Sequence, residues 1–405
     1  MAAVSASPTD RIARLAELAI RFGANVQPGQ IVGVTAYAGR EEMTRALARS
    51  AYAAGARWVD VVTFDDLLKR ERLAHADEST LDVVPPWMGA RVRWLSDERA
   101  ARVTMAGPQD PHALDGIDPA RAGRDLLPWL EEAGEVVNAR TTNWTMIPVP
   151  TGPWAEAVYP ELDAPDALER LWSAVERMCR LDEPDPVAAW EERFATTTAI
   201  AGRLTERRFD AIRLHGPGTD LEIGLLPGSI WRAAQFETVD GLVHRPNLPS
   251  EEIFTCPDPA RADGHVTMTL PRQLYGAIID GIRIAFEGGR AVRIDADRGE
   301  ETLRSVVAKD EGACRLGELA LVDGQGRIGA MKTVFLDTLI DENAASHLAL
   351  GNGLTMALDD ETSKERANVS GIHVDLMIGR PELDVDGIRS DGAVVPVLRD
   401  GRWQL

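Results

Sequence analysis

The chain has 405 residues, 44% of them apolar and 27% charged, and its 44 basic and 64 acidic residues leave a net charge of −20. This length exceeds one ordinary core and fits two domains of a soluble globular protein. The acidic balance, without any cluster of Lys or Arg, argues against nucleic acid as a partner, and no run of about 18 apolar residues marks a membrane span.

Residues 1–8 (MAAVSASP) lack the basic patch and apolar stretch of a signal peptide. Ile12, Leu15, Leu18, Ala19 and Phe22 recur three and four apart and predict a helix over 11–22. A Gln27-Pro28-Gly29-Gln30 turn leads into a strand at 31–35, an Ala-rich helix over 41–54 closed by Gly55, and a strand at 58–63. Strand, helix and strand of these lengths suit a right-handed βαβ unit and a parallel sheet, joined by a further strand at 103–106. This half holds no GxGxxG and no P-loop, so its sheet is a scaffold or one wall of a cleft. Residues 143–154, dense in Pro and Trp, read as an ordered pocket-lining loop or as a rigid connector. Helices follow over 168–180 and 187–204, split by Asp182-Glu183-Pro184-Asp185-Pro186. The domain boundary is expected near 206, giving an α/β domain over 1–205 and a β-rich α+β domain over 206–405.

After the boundary, the alternating runs Ala211-Ile212-Arg213-Leu214 and Leu221-Glu222-Ile223-Gly224-Leu225 flank a Gly-Pro-Gly turn, a hairpin signal. Short strands are predicted at 264–270, 278–286, 291–294 and 320–322. Cys179, Cys256 and Cys314 are odd in number and widely spaced, with no CxxC pair. They read as buried reduced thiols, which points to a reducing compartment, the cytoplasm.

Four segments of the second half gather Glu, His and Asp near turns. In Gly371-Ile372-His373-Val374-Asp375-Leu376-Met377, His373 and Asp375 are two apart and share one face of a strand. Both are costly to bury unpaired, so either a metal or a His–Asp hydrogen bond explains them. In Asp337-Thr338-Leu339-Ile340-Asp341-Glu342-Asn343-Ala344-Ala345-Ser346-His347, Asp341 or Asn343 is expected to cap a short helix ending at Gly351. Glu342 then lies in its entry turn and His347 one turn on, a spacing of five that gives no shared helical face. Glu318 starts a strand, a position where a solvated carboxylate is ordinary. Of the adjacent Glu251 and Glu252, one should face outward.

Taken together and in order, these segments resemble the aminopeptidase T family of metallo-aminopeptidases. The likeness runs through Asn247-Leu248-Pro249-Ser250-Glu251-Glu252-Ile253-Phe254-Thr255, Leu316-Gly317-Glu318, the Asp341-to-His347 segment and Ser370-Gly371-Ile372-His373-Val374-Asp375. Val26 to Gln30, Asn143-Trp144-Thr145 and the Pro-Trp loop extend it over nearly the whole chain. The resemblance implies two divalent metal ions held by Glu252, Glu318, Glu342, His347, His373 and Asp375, with Glu318 as the candidate catalytic residue. It also implies a homodimer and removal of N-terminal residues from short peptides by a two-metal-activated hydroxide. An oxygen-rich set with two histidines suits Zn²⁺, Co²⁺ or Mn²⁺ without selecting among them. One departure stands out: the family has a tyrosine seven residues after the first metal-site histidine, and here that position is Leu354. Losing a donor at such a place costs about 10²–10³ in rate. The alternatives it opens are a hydrolase of another small amide, an iron-dependent ring-cleaving dioxygenase, which is similar to this family, or a non-catalytic metal-binding dimer.

Overall fold

The computed structural model describes residues 8–125, 127–128, 130–274, 277–324 and 326–405. The first seven residues, read above for a signal peptide, lie outside them. The chain forms two compact units, Met1–Glu192 with Ala234–Pro249, and Arg193–Ala233 with Ser250–Leu405.

The first unit is built on a four-stranded parallel sheet. Its strands are β1 (Ile31–Tyr37), β2 (Trp58–Phe64), β3 (Ala101–Ala106) and β4 (Asn143–Pro148), in the order β2-β1-β3-β4. Val32, Val34 and Val103 have no exposed surface, as expected of a parallel strand covered on both faces. The helix Glu41–Ala53 supplies the predicted crossover. The helix Pro8–Leu18 continues into a π-helical turn, Ala19–Gly23. Residues 143–154 depart from both readings given them. The first six form β4, whose register pairs Asn143 with Ala101 and Pro148 with Ala106. Thr151 then caps the helix Gly152–Val158 by accepting from Trp154 N–H. The alternation Asn-Trp-Thr-Met-Ile was a strand signal that the prolines and tryptophans masked.

Among the described residues, the second unit holds two large antiparallel sheets and a two-stranded one, Arg272–Leu274 with Ala277–Ile279. An eight-stranded sheet includes the predicted hairpin Ala211–Gly216 and Thr219–Leu225. The single strand expected over 278–286 is two, Ala277–Ile279 and Arg283–Glu287, separated where Gly281 takes a φ of +63°. The other large sheet has five strands and carries the chemistry. Four of them are β5 (Glu252–Thr255), β6 (Leu316–Val322), β7 (His347–Gly351) and β8 (His373–Met377), and they lie in the order β8-β7-β6-β5. The helix expected to reach Gly351 is therefore absent. Only Thr338–Asp341 is helical, and its cap is Asp337, which accepts from Ile340 N–H. Leu348 and Leu350 explain this: two apart, they fit a strand, and β7 is paired on both edges, by β6 and by β8.

Every second residue of these four strands points into one core. Ile253, Leu319, Leu321, Leu348, Leu350, Val374 and Leu376 all belong to the same buried apolar cluster. The period of two then puts Glu252, Glu318, His347, His373 and Asp375 on the opposite face. Among the described residues, no helix is long and apolar enough to cross a membrane.

Candidate metal centre

Register brings these five side chains together. Glu318 lies opposite Ala349, and Ala349 opposite Asp375. Ala320 lies opposite His347, and Gly351 opposite His373. The positions between the acidic and imidazole side chains are thus Ala or Gly, which leaves room above the sheet. Gly351 is required in its own right: its φ is +107°, and a Cβ there would stand 2.2 Å from the Ile372 carbonyl.

Two groups of ligand-type atoms converge on this face, Glu252 with Glu318 and His347, and Glu318 with His373 and Asp375. Within each group the atoms lie within 4.8 Å of one another, and Glu318 belongs to both. His347 Nε2 is 3.3 Å from Glu252 Oε2. His373 Nε2 is 3.0 Å from Glu318 Oε2 and 3.3 Å from Asp375 Oδ1. Each imidazole is oriented from behind. A carbonyl only accepts, so His347 Nδ1–H donates to Ala345 O (3.2 Å) and His373 Nδ1–H to Asn352 O (2.9 Å). Both histidines therefore aim Nε2 at the carboxylates, the arrangement that metal-binding histidines use. The His373 side chain keeps 31% of its surface exposed, so the site opens there, while Glu252 and Glu318 are buried.

Glu342 lies outside both groups, on the turn after Thr338–Asp341, yet it feels them. Burial first, then Asp375, Glu252 and Glu318, hold its carboxyl well above the ordinary range. Burial likewise pushes Glu252 up to about 8, with Glu318 and Asp375 adding to the effect and His347 opposing it. Asp375 goes the other way: burial acts against its charge, but His373 beside it wins and lowers its pKa. His347 is raised because Glu252, Glu318 and Asp375 outweigh desolvation, and His373 is raised well above its usual value, mainly by Asp375 and Glu318. Four carboxylates thus crowd around two imidazoles. This excess of negative charge, with oriented nitrogens, fits divalent cations.

The choice between the two adjacent glutamates has a geometric counterpart. Neither faces outward as expected, because Arg193 gives Glu251 a buried partner: Glu251 turns away from the group and pairs with Arg193 at 2.6 Å, while Glu252 faces His347. Sequence reasoning missed Arg272. It is buried, donates to the Thr338 hydroxyl, and its charge acts on both Glu342 and Asp375. A lone Arg in a β-rich stretch gives no signal of this. Leu354 is half-buried, and its N–H approaches Gly317 O at 3.4 Å, next to Glu318. Asn352, the polar neighbour that could have substituted for a tyrosine, has its side-chain oxygen 3.4 Å from Ser370 N–H. The three cysteines are free and buried.

A sheet face with this donor set is suited to a metalloenzyme, and the sequence says of which class: the chain belongs to the thermophilic metalloprotease (M29) family, whose profile matches residues 9–403. Among characterised relatives it is similar to aminopeptidase T of Thermus aquaticus, 42% identical across 98% of this chain and 99% of the relative. Aminopeptidase PepS of Streptococcus thermophilus is 35% identical across 98% of each. The solved structure of wild-type AmpT from Thermus thermophilus superposes with a TM-score of 0.91 at 41% identity, covering 98% of this chain and 99% of that one. The structure of 2,5-dihydroxypyridine dioxygenase from Pseudomonas putida KT2440 shares the fold, with a TM-score of 0.54 at 13% identity over 98% of each chain.

Proposed function

We propose that this chain is a metal-dependent aminopeptidase that removes N-terminal residues from short peptides. The observation that carries the proposal is the pair of ligand groups sharing Glu318 on one sheet face, within a family of metalloproteases. Glu252, Glu318, Glu342, His347, His373 and Asp375 would hold two divalent ions, drawn from Zn²⁺, Co²⁺ and Mn²⁺. Ions bound there supply Lewis acidity toward a peptide carbonyl and ease the ionisation of water near neutral pH.

The protein's own groups do the rest. The carboxylates favour the cationic α-amino end of a peptide over a blocked one. Glu318 belongs to both groups, and we assign it the passing of a proton to the departing amine. His373, at the exposed edge, marks the side from which substrate enters. We also infer a homodimer in a reducing, cytoplasmic setting, which three buried free cysteines suit.

The test is release of amino acids from dipeptides and aminoacyl-nitroanilides by protein loaded with each metal in turn. Free-amine substrates should be cleaved and their N-acetylated counterparts spared. Absence of release with Zn²⁺, Co²⁺ and Mn²⁺ alike would overturn the peptidase reading.

A further inference from the structure

One buried side chain that belongs to neither ligand group links two of the segments that build the centre. Asn343 has no exposed surface and immediately follows Glu342. Its Oδ1 accepts from the backbone N–H of Glu251 at 2.7 Å, and its Nδ2 donates to the Leu339 carbonyl at 2.9 Å. Glu251 directly precedes Glu252, and Leu339 lies in the helical turn Thr338–Asp341 that runs into Glu342. A single amide thus ties the peptide before Glu252 to the turn before Glu342, across 92 residues of chain.

The Glu251 end of this tie is itself held. Arg193 Nε stands 2.6 Å from the Glu251 carboxylate, and Arg193 Nη2 donates to the Glu251 carbonyl at 3.0 Å. Arg193 Nη1 also pairs at 3.2 Å with Asp323, one residue past the end of β6, the strand that carries Glu318. Glu251 is therefore fixed at its N–H, its carbonyl and its side chain, and Asn343 transmits that fixed position to the Glu342 turn.

We propose that Asn343 is a positioning residue of the metal centre: by fixing Glu252 relative to Glu342 it sets the affinity for divalent cations while supplying no ligand itself. This rests on the metal-centre reading above. The chemistry requires an amide. Aspartate has the same shape and, ionised, keeps the acceptor for Glu251 N–H but has nothing to donate to Leu339 O, so its affinity is measured at a pH high enough to ionise it. Alanine leaves both backbone groups buried without a partner.

The two views of this site differ in sign for Asn343→Asp. If the residue mattered only through charge, an added carboxylate beside a cation site would tighten binding. If it positions ligands, binding weakens, because groups behind the ligands typically govern about 10–100-fold in affinity. The experiment measures Zn²⁺ affinity of the full chain by competition with a chromophoric chelator, alongside the unfolding midpoint of the metal-free protein. The variants are Asn343→Asp, Asn343→Ala and, as a stability control, Leu214→Ala in the strand Ala211–Gly216 of the other sheet. We expect Asn343→Ala to bind about 10–100-fold more weakly, Asn343→Asp to bind more weakly than wild type by a smaller factor, and Leu214→Ala to lose stability but keep wild-type affinity. Should Asn343→Ala fail to fold, Asn343→Asp decides by its sign. Wild-type or tighter binding by Asn343→Asp overturns the proposal, as does a loss in Leu214→Ala equal to that in Asn343→Ala. A wild-type chain that binds no Zn²⁺ overturns the metal centre and this inference with it; a wild type that binds normally beside variants that also do so overturns this inference alone.

Discussion

Buried charge is handled differently in the two units. In the first, two deeply buried charges each meet their opposite. Asp125, only 2% exposed, pairs with Arg72 at 3.0 Å, and Arg11, also 2% exposed, pairs with Glu169 at 2.7 Å. On the face of the five-stranded sheet, Glu252, Glu318 and Asp375, joined by Glu342 from the turn after Thr338–Asp341, surround two histidines and lie in the field of Arg272, and two of the four carboxyls respond by holding protons to unusually high pH. Leaving a buried carboxylate uncompensated costs several kcal/mol, so such a cluster is retained only where something else neutralises it. The first arrangement is complete as protein, whereas the second calls for cations.

The sharpest way to break this contrast is to remove what the second arrangement needs. Chelation should abolish peptide cleavage, and Zn²⁺, Co²⁺ or Mn²⁺ should restore it. Glu318→Gln should lower kcat/KM by about 10³-fold or more even at saturating metal, since Glu318 serves both groups. Asp125→Asn, in contrast, should destabilise the protein by about 3 kcal/mol, the cost of breaking a buried pair, and leave Zn²⁺ affinity unchanged. Chelator competition and calorimetry on the same preparations separate these outcomes.

The adjacent glutamates repeat the contrast within a single dipeptide. Glu252→Gln should weaken Zn²⁺ binding about 10²-fold while, once cations are absent, leaving a protein at least as stable as the parent. Glu251→Gln should act first on the fold: it breaks the pair with Arg193, costs about 3 kcal/mol and keeps the ion count measured by mass spectrometry at saturating metal, while loosening the tie through Asn343 weakens Zn²⁺ affinity less than Glu252→Gln does. A smaller change is expected at Leu354. Leu354→Tyr places a hydroxyl near Glu318, and kcat on aminoacyl-nitroanilides should rise about tenfold or more. An unchanged rate would mean that another donor already serves the reaction.

Much of this was legible in the sequence because strand chemistry is local. The spacing of His373 and Asp375 predicts their shared face, and the parallel sheet follows from the apolar runs and turns of the first hundred residues. The His347 segment was harder to read. Asp337, Asp341 and Asn343 are all good helix caps, and only pairing with β6 and β8, partners distant in sequence, decides that His347 begins a strand. Long-range tertiary contacts also assign the roles of Glu251, Arg193, Asn343 and Arg272, none of which carries a signal in its own neighbourhood. The asymmetry between Glu251, just before β5, and Glu252, its first residue, depends on where the strand starts and on its register, which a lone sequence leaves open.

The smallest expected effect is a pH dependence with a definite sign. Folding raises the pKa of Glu252 to about 8 from an ordinary 4.5 and raises Glu342 well above its ordinary value. A group raised by folding contributes stability that is whole below its unfolded pKa and is lost as pH rises through the folded one. His347 and His373 are raised as well, and they act in the same direction. Asp375 is lowered, so its contribution is present above its ordinary 3.8 and is lost only in stronger acid, outside this window. From about pH 6 to 9 the raised groups all pull one way, and the unfolding midpoint of the metal-free protein should fall by on the order of 5–10 °C. Saturating Zn²⁺ replaces the protons, so the stabilisation it confers should grow over the same interval. A metal-free midpoint that stays level or climbs from pH 6 to 9 would mean that the carboxylates are compensated within the protein, as in the first unit.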